Sequence, residues 1–454
     1  MSADHRFIFH PICVKRLFTI LFTLCLAWGL PARAQIALSD SLEISLLTCS
    51  PGPDAYERFG HTGIRLHDLK GGGDYVFHYG VFSFRTPDFI YRFVKGETDY
   101  CLGLTSTDRF VKEYRERGLG MTEQVLWLTR LQQQELLRRF IDNYRPENRT
   151  YRYSYFFDNC ATRPYRIIEA STDGLIRYDS AAWMRPVTLR QLVAEKVCPE
   201  GDSWRAADNW LYFGISLCVA GRADRRATMV EQLFLPDHLE LAYLHASIDY
   251  PTATVVGDST GLAPVTLSRP LVRESRTLLS PTPEILAQLR ATEICSPMLV
   301  CGTILALAIL VTAVDVHTRR RRDADGEILP QTEGCCRHIA RTYLPSLFDC
   351  LLLLLTGLAG VMIWFLNFFS LHPAVDHNWN CLWLLPTNVI FAMLIWLKSL
   401  QKVRLIYFFI IFAALIVYLI ATALFVDQYV HPAFIPLILA LMVRSLGRIG
   451  TTIA

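Results

Sequence analysis

The placement of the apolar residues restricts this chain more than any other feature. They make up 52% of its 454 residues, yet the long apolar runs are confined to the extreme N-terminus and to the region after residue 297. A helix that crosses a bilayer needs about 20 consecutive apolar residues. The chain therefore divides into an aqueous part and a membrane part. Five apolar segments carry the membrane part: Met298–Val316, Phe348–Phe369, Leu382–Leu397, Leu405–Val426 and Ala433–Val443. The second and fourth are full spans. The third and fifth are short and cross only if tilted or extended into flanking residues such as Tyr429 and Val430. The expectation is an all-α polytopic domain of about five transmembrane helices over residues 297–454.

The N-terminus reads as a signal peptide over residues 1–34. Arg6, Lys15 and Arg16 precede the apolar run Leu17–Leu30, and Ala32-Arg33-Ala34 forms a small-x-small cleavage site. Residues 35–296 are then exported. The basic residues agree: Arg319–Arg322, Arg337 and Arg341 follow the first span, Lys398, Lys402 and Arg404 follow the third, and Arg444 and Arg448 follow the fifth. The loops Ser370–Cys381 and Asp427–Pro432 carry no Lys or Arg. This is the positive-inside pattern, with the exported domain on the opposite side. The formal net charge of +3 gives no reason to expect a nucleic-acid partner. The exported cysteines, Cys49, Cys101, Cys160, Cys198, Cys218 and Cys295, are free to pair in an oxidising compartment, and sequence cannot assign the pairs.

Within the exported domain, Leu42–Cys49 reads as a strand. Thr62–His67 and Tyr75–Phe82 flank the glycine-rich stretch Asp68–Asp74, which predicts a β-hairpin. Helical spacing covers Thr107–Arg117 and Leu131–Tyr144. The alternation in Tyr151–Phe157 predicts a strand that enters a helix from Ile167 onward. The result is a mixed α+β domain. The Pro- and Ser/Thr-rich stretch Pro264–Pro283 reads as a connector to the membrane.

Two residues in this domain have the makings of acyl-transfer chemistry. His61 opens the strand after Phe59-Gly60, and Cys160 sits at a strand-to-helix junction in Phe157-Asp158-Asn159-Cys160-Ala161-Thr162-Arg163. A thiol becomes a strong nucleophile when a base removes its proton, and imidazole is the usual base. A group to orient the histidine comes from the second hairpin strand. A turn centred near Gly71 sets His61 opposite Val81 and puts Tyr79 on its face, with His78 pointing away. A slip of one residue reverses the two, so Tyr79 and His78 are rivals. Asp158 or Asn159 is placed to cap the helix after Cys160. Pro164 fits that helix better if it begins near Arg163, and the helix dipole then helps the thiol less. Arg163 offers a fork of donors to a phosphate headgroup or an oxyanion, or else forms a surface ion pair. Phe82, Phe84, Phe89, Tyr91 and Phe93 suit core packing or an acyl-chain groove. On the outward loops, His372, Asp376, His377, Asn378, Asn380 and His431 point to contact with a headgroup or with the exported domain.

The histidine-first, cysteine-later order with Asn159-Cys160 resembles the circularly permuted branch of the NlpC/P60 papain-like superfamily, to which lecithin:retinol acyltransferase belongs. A broader likeness covers most of the mature chain. Phe59-Gly60-His61-Thr62, Tyr79-Gly80-Val81-Phe82, Phe157-Asp158-Asn159-Cys160-Ala161-Thr162, Phe234-Leu235-Pro236, His372-Pro373 and Asn378-Trp379-Asn380 resemble the Bacteroides-type lipoprotein N-acyltransferase (Lnb) family. That resemblance implies a permuted papain-like periplasmic domain on a helical membrane domain in the bacterial inner membrane. It implies transfer of an acyl chain from a membrane phospholipid to the amine of a diacylglyceryl-cysteine lipoprotein, with Cys160 as nucleophile and His61 as base. Asn159, Arg163, His372, Asn378 and Asn380 are then substrate-binding candidates. The chemistry requires no cofactor or metal. Two other readings compete: a papain-like peptidoglycan amidase or endopeptidase, and a non-enzymatic envelope scaffold in which Cys160 is structural.

Overall fold

The computed structural model of the chain describes residues 41–198, 207–255, 262–291, 294–324 and 335–453. The signal-peptide segment lies outside the described residues.

The N-terminal domain runs β1 (Leu42–Cys49), β2 (His61–Asp68), β3 (Gly73–Val81), α1 (Phe89–Lys95), β4 (Asp99–Ser106), α2 (Thr107–Glu116), β5 (Met121–Leu126), α3 (Arg130–Tyr144), β6 (Thr150–Arg152) and α4 (Thr162–Ser171). It continues through β7 (Ile176–Tyr178), α5 (Leu189–Val197), α6 (Trp210–Cys218), α7 (Pro236–Leu244), β8 (Ala246–Val255), β9 (Leu262–Pro270), β10 (Val272–Leu279) and α8 (Pro283–Arg290). Seven strands form one antiparallel sheet in the order β10-β5-β1-β2-β3-β4-β6, and β7, β8 and β9 form a smaller sheet. β1 is buried along nearly its whole length because it is covered on both faces. On one face Ile44, Leu46, Ile64, Phe77 and Tyr79 pack with Leu136 and Phe140 of α3 and Ile168 of α4. On the other, Leu47, Cys49 and Val76 meet Phe110 and Tyr114 of α2. Each such side chain taken fully from water contributes roughly 1.5–3 kcal/mol before entropy is counted.

The expected strand over Tyr151–Phe157 forms only as Thr150–Arg152. Beyond it the chain closes on itself in a Ser154–Asp158 bridge that turns into α4. The stretch Pro264–Pro283 is not a connector. It supplies most of β9 and all of β10, and β10 pairs with β5 at the edge of the main sheet. Its Thr and Val residues favour a pleated strand, and Pro270 ends β9 rather than marking a linker.

The C-terminal region is helical: α9 (Pro297–Ala324), α10 (Cys335–Phe369), α11 (Asn388–Leu394), α12 (Gln401–Leu424) and α13 (Phe434–Ile453). Among the described residues three helices are long and apolar enough to cross a membrane: Pro297–Thr318, Tyr343–Phe369 and Gln401–Leu424. The expected third span, Leu382–Leu397, is broken. A 3-10 turn at Trp379–Leu382 is followed by irregular chain through Pro386 and by the seven-residue α11. It lies close against α10, where a Cβ on Gly357 would come within 2.5 Å of the Val389 nitrogen. Asn388 donates to Thr356 at 3.1 Å and accepts from Tyr407 at 2.6 Å. Irregular backbone at this level is tolerated where protein surrounds it. The fifth segment forms α13, which carries Arg444 and Arg448 within its length.

The two domains are joined by packing, not only by chain. Phe213 of α6 stacks edge-on to Phe434 at 5.1 Å, and Leu217 belongs to the membrane-domain core. Asp224 binds the buried Arg190 and accepts the Tyr429 N–H at 3.1 Å.

Candidate active site

The β2–β3 hairpin is one residue out of the expected register. Gly63 faces His78 and Ile64 faces Phe77. His78 therefore shares a face with His61, and Tyr79 points to the opposite side. The reason is the turn: Asp68 pairs with Gly73, so the loop between them is centred half a residue earlier than composition suggests. Tyr79 is buried among α3 and α4, where its O–H donates to Asn143 Oδ1 at 2.5 Å.

His61 starts β2 directly across from Cys49, the last residue of β1. Its Nε2 lies 3.2 Å from His78 Nδ1, one ring donating and the other accepting. Phe110 of α2 packs against both rings. The remaining nitrogen of His61, Nδ1, is not engaged by His78. Gly80 follows at a break in the β3–β4 pairing, with φ of +93°. A Cβ at Gly80 would sit 3.8 Å from Cys160 Cβ, 3.9 Å from His61 Cε1 and 3.9 Å from the Tyr153 ring. The thiol-bearing residue and the imidazole therefore converge over one glycine, from segments remote in the sequence.

The turn that presents Cys160 is built by its neighbour. Asn159 is buried, and its Nδ2 donates to the carbonyls of Tyr155 at 2.9 Å and Phe234 at 2.7 Å. Its Oδ1 accepts the N–H groups of Ala161 and Thr162, both at 2.9 Å. Asn159 thereby caps α4 from outside, satisfying donors that a helix start leaves open. It also ties the Cys160 turn to the Phe234-Leu235-Pro236 segment. Because α4 begins at Thr162, Pro164 falls in the first turn, where no intrahelical N–H is needed. Cys160 precedes the helix and gains little from its dipole.

Electrostatically the centre is neutral. Burial pushes the Cys160 thiol up to about 11, although the sulfur accepts the Thr62 backbone N–H, which works the other way. Burial, and secondarily the neighbouring His78, push His61 down to about 3. Burial alone pushes His78 down to about 4. A neutral thiol beside a neutral imidazole is the resting state that these directions describe. The Cys160 thiol is not tied up in a disulfide.

The other sequence candidates are engaged elsewhere. Arg163 grips Asp158 with two bonds of 2.8 and 2.7 Å and stacks over Tyr151 at 3.5 Å. Asn378 donates to the Leu217 and Cys218 carbonyls and Asn380 donates to Leu217. Both close the C-terminal end of α6, whose last carbonyls have no partner within the helix. His372 Nε2 lies 2.8 Å from the Phe93 carbonyl. Of the two roles open to the outward loops, these contacts are with the N-terminal domain. Sequence reasoning missed Tyr153 and Phe110, which wall the centre, and Cys49, which it treated only as a disulfide partner. The β1–β2 antiparallel pairing was the signal for Cys49, since it ends one strand as His61 opens the next.

Two family profiles match this chain. Residues 32–195 match the Lnb N-terminal periplasmic domain and residues 334–453 match the Lnb transmembrane domain. No curated protein and no solved structure matches it.

Proposed function

Since the chain belongs to the Lnb family, as a membrane protein with a periplasmic N-terminal domain, we propose that it is a lipoprotein N-acyltransferase of the bacterial inner membrane. In this reading it moves a fatty acyl chain from a membrane phospholipid, through a thioester on Cys160, to the α-amine of a diacylglyceryl-cysteine lipoprotein. The observation that carries the mechanism is the convergence of Cys160 and His61 over Gly80. The His-before-Cys order supports a permuted papain-like, NlpC/P60-type ancestry for the same centre.

The first half-reaction begins with both groups neutral. Cys160 Sγ attacks the ester carbonyl of the phospholipid as its proton passes to His61. The tetrahedral intermediate collapses, the ester C–O bond breaks, and the lysophospholipid leaves with the proton from His61. In the second half, the lipoprotein amine attacks the thioester and gives His61 a proton. The C–S bond then breaks, and the thiol is restored by that proton. The sum is ester plus amine giving amide plus lysophospholipid. His78 acts as a positioning residue in this reading, engaging His61 through Nε2 and leaving Nδ1 for the thiol. Water competes with the amine throughout the thioester stage. The rings of Tyr153 and Phe110 and the burial of Cys160 are suited to keep it out.

The N-terminal peptide of a reporter lipoprotein provides the test. It is analysed by mass spectrometry from cells that lack other N-acylation activity and express the parent or Cys160→Ala at equal level. A third acyl chain with the parent and none with the variant is expected. A diacylated reporter in both rejects the function, and a triacylated reporter in both rejects the thioester mechanism.

A further inference from the structure

α1 is a seven-residue helix whose exposed side chains are large and apolar. Ile90 is 78% exposed, Tyr91 54% and Phe93 46%. In an aqueous setting such a patch is a liability, and on a membrane protein it marks a contact surface. Its position is set by three bonds to the residues that follow α10: Leu371 N–H to the Lys95 carbonyl, Ser370 Oγ to the Val94 carbonyl and His372 to the Phe93 carbonyl, each 2.8 Å. The Tyr91 ring also lies 6.0 Å from that of Phe365. Phe365 is one turn, about 6 Å, inside the candidate span that ends at Phe369. α1 is therefore at the level where that span leaves the bilayer, and its free face continues the lipid-facing surface of α10. Aromatic side chains on a short helix favour this interface, with the ring buried and the polar edge wet.

A file of rings runs from α1 toward the thiol. Phe93 is 6.1 Å from Phe89, Phe89 5.7 Å from Phe82, Phe82 5.1 Å from Tyr100, and Tyr100 stacks on Tyr153 at 4.4 Å. Tyr153 is the ring that meets Cys160 and His61 over Gly80. Phe84, beside Phe82 at 4.8 Å, keeps the strip open at the surface, being itself 65% exposed.

We infer that α1 is seated in the leaflet next to the N-terminal domain and that this aromatic strip guides one acyl chain of a leaflet phospholipid from the bilayer to Cys160. The surface commits to a lipid because it continues a spanning helix, and a protein partner would have to displace lipid to reach it. That the guided chain is the acyl donor rests on the transferase reading above. The lipid contact does not.

The experiment places a benzoylphenylalanine at position 90, 93 or 84 of the full chain in phospholipid vesicles, with Leu69 as control. Leu69 is exposed and follows β2, roughly 25 Å along the strand from His61. After irradiation, intact-mass analysis is expected to show phospholipid adducts at 90, 93 and 84 and none at 69. No adduct at 90 and 93, or equal labelling at 69, overturns the seating of α1. Adducts at 90 and 93 without one at 84 overturn the guide. A second variant, Ile90→Glu with Phe93→Glu, is expected to lower transfer from vesicle phospholipid by about tenfold, with continued maleimide labelling of Cys160 as the check on folding. Unchanged transfer also overturns the guide. If the parent transfers no acyl group, the function fails and the cross-links still decide the surface.

Discussion

Near the mouth of the hairpin, Cys160, His61 and His78 are enclosed with no charged partner. At the far ends of the membrane helices, Arg444 and Arg448 are enclosed with Asp349 and Asp315. Arg444 binds Asp349 through two bonds of 2.5 and 3.0 Å, Arg448 binds it at 2.6 Å, and Arg448 reaches Asp315 at 3.3 Å. Both regions bury ionisable groups, but burial does different work in each. Without a counter-charge it holds the thiol and the imidazoles neutral, the state from which the proposed proton transfer starts. With matched charges it leaves the ions in place and locks α9, α10 and α13 together, because a lone ion there costs several kcal/mol. The contrast shows why buried ionisable residues alone do not identify a reactive centre. What matters is whether a partner has already satisfied their charge.

Four changes probe that contrast, from the largest expected effect to the smallest. His61→Ala should lower acyl transfer by about 10²–10⁴-fold with little change in unfolding temperature. A large stability loss with activity retained would make the hairpin centre structural, like the other cluster. Asp349→Ala should do the reverse, destabilising the chain by about 3–5 kcal/mol as Arg444 and Arg448 each lose the nearer of two carboxylates. Unfolding in detergent micelles measures it, and a combined Asp349→Leu and Arg444→Met change should recover much of the loss. His78→Ala should cost about 10–100-fold in kcat, the scale associated with removing a group that orients a reactive imidazole. His78→Asn, which keeps an acceptor and a donor near that position, should recover part of it, whereas a packing role would not be rescued this way. The smallest effect is in pH. Because the Cys160 thiol is pushed up to about 11, its alkylation should keep rising beyond pH of about 9. A plateau beginning in acid would mean a standing thiolate–imidazolium pair and would break the comparison.

The histidines add a stability term whose sign is determined. Their folded values, about 3 and about 4, lie below the ordinary value of about 6.5. As pH falls below about 6.5 the unfolded chain takes protons first. The stability contributed by their neutral burial is full above that pH and is lost as pH falls toward about 3–4, which denaturant titrations across the range would follow.

Much of this molecule was legible before folding because it follows from local patterns. Apolar runs located the membrane region, glycine clustering located the hairpin, and helical spacing located α2 and α3. The order of His61 and a later Cys160 nominated two residues that the fold brings together over Gly80. The errors arose where a non-local partner decided the outcome. Pro264–Pro283 looked like a linker until β5 offered it an edge, and Leu382–Leu397 looked like a continuous helix until α10 and Tyr407 took its polar groups. For Asn378 and Asn380 the sequence left contact with a headgroup and contact with the exported domain both open, and they close the carbonyl end of α6, more than 150 residues earlier in the chain.

The third residue of the centre shows the same division at its finest scale. Residue types and their order were enough to nominate His61, Cys160 and a residue of β3, since thiol chemistry needs a base and the base needs an orienting group. Choosing His78 over Tyr79 required the hairpin register. A strand alternates its side chains with period two, so a shift of one residue exchanges every face. Sequence therefore determined the two domains and the chemical repertoire, through hydropathy and side-chain type. The tertiary structure alone decided which side chains share a face, which carbonyls consume which amides, and which buried groups are left neutral. Those outcomes depend on distances between segments remote in the chain.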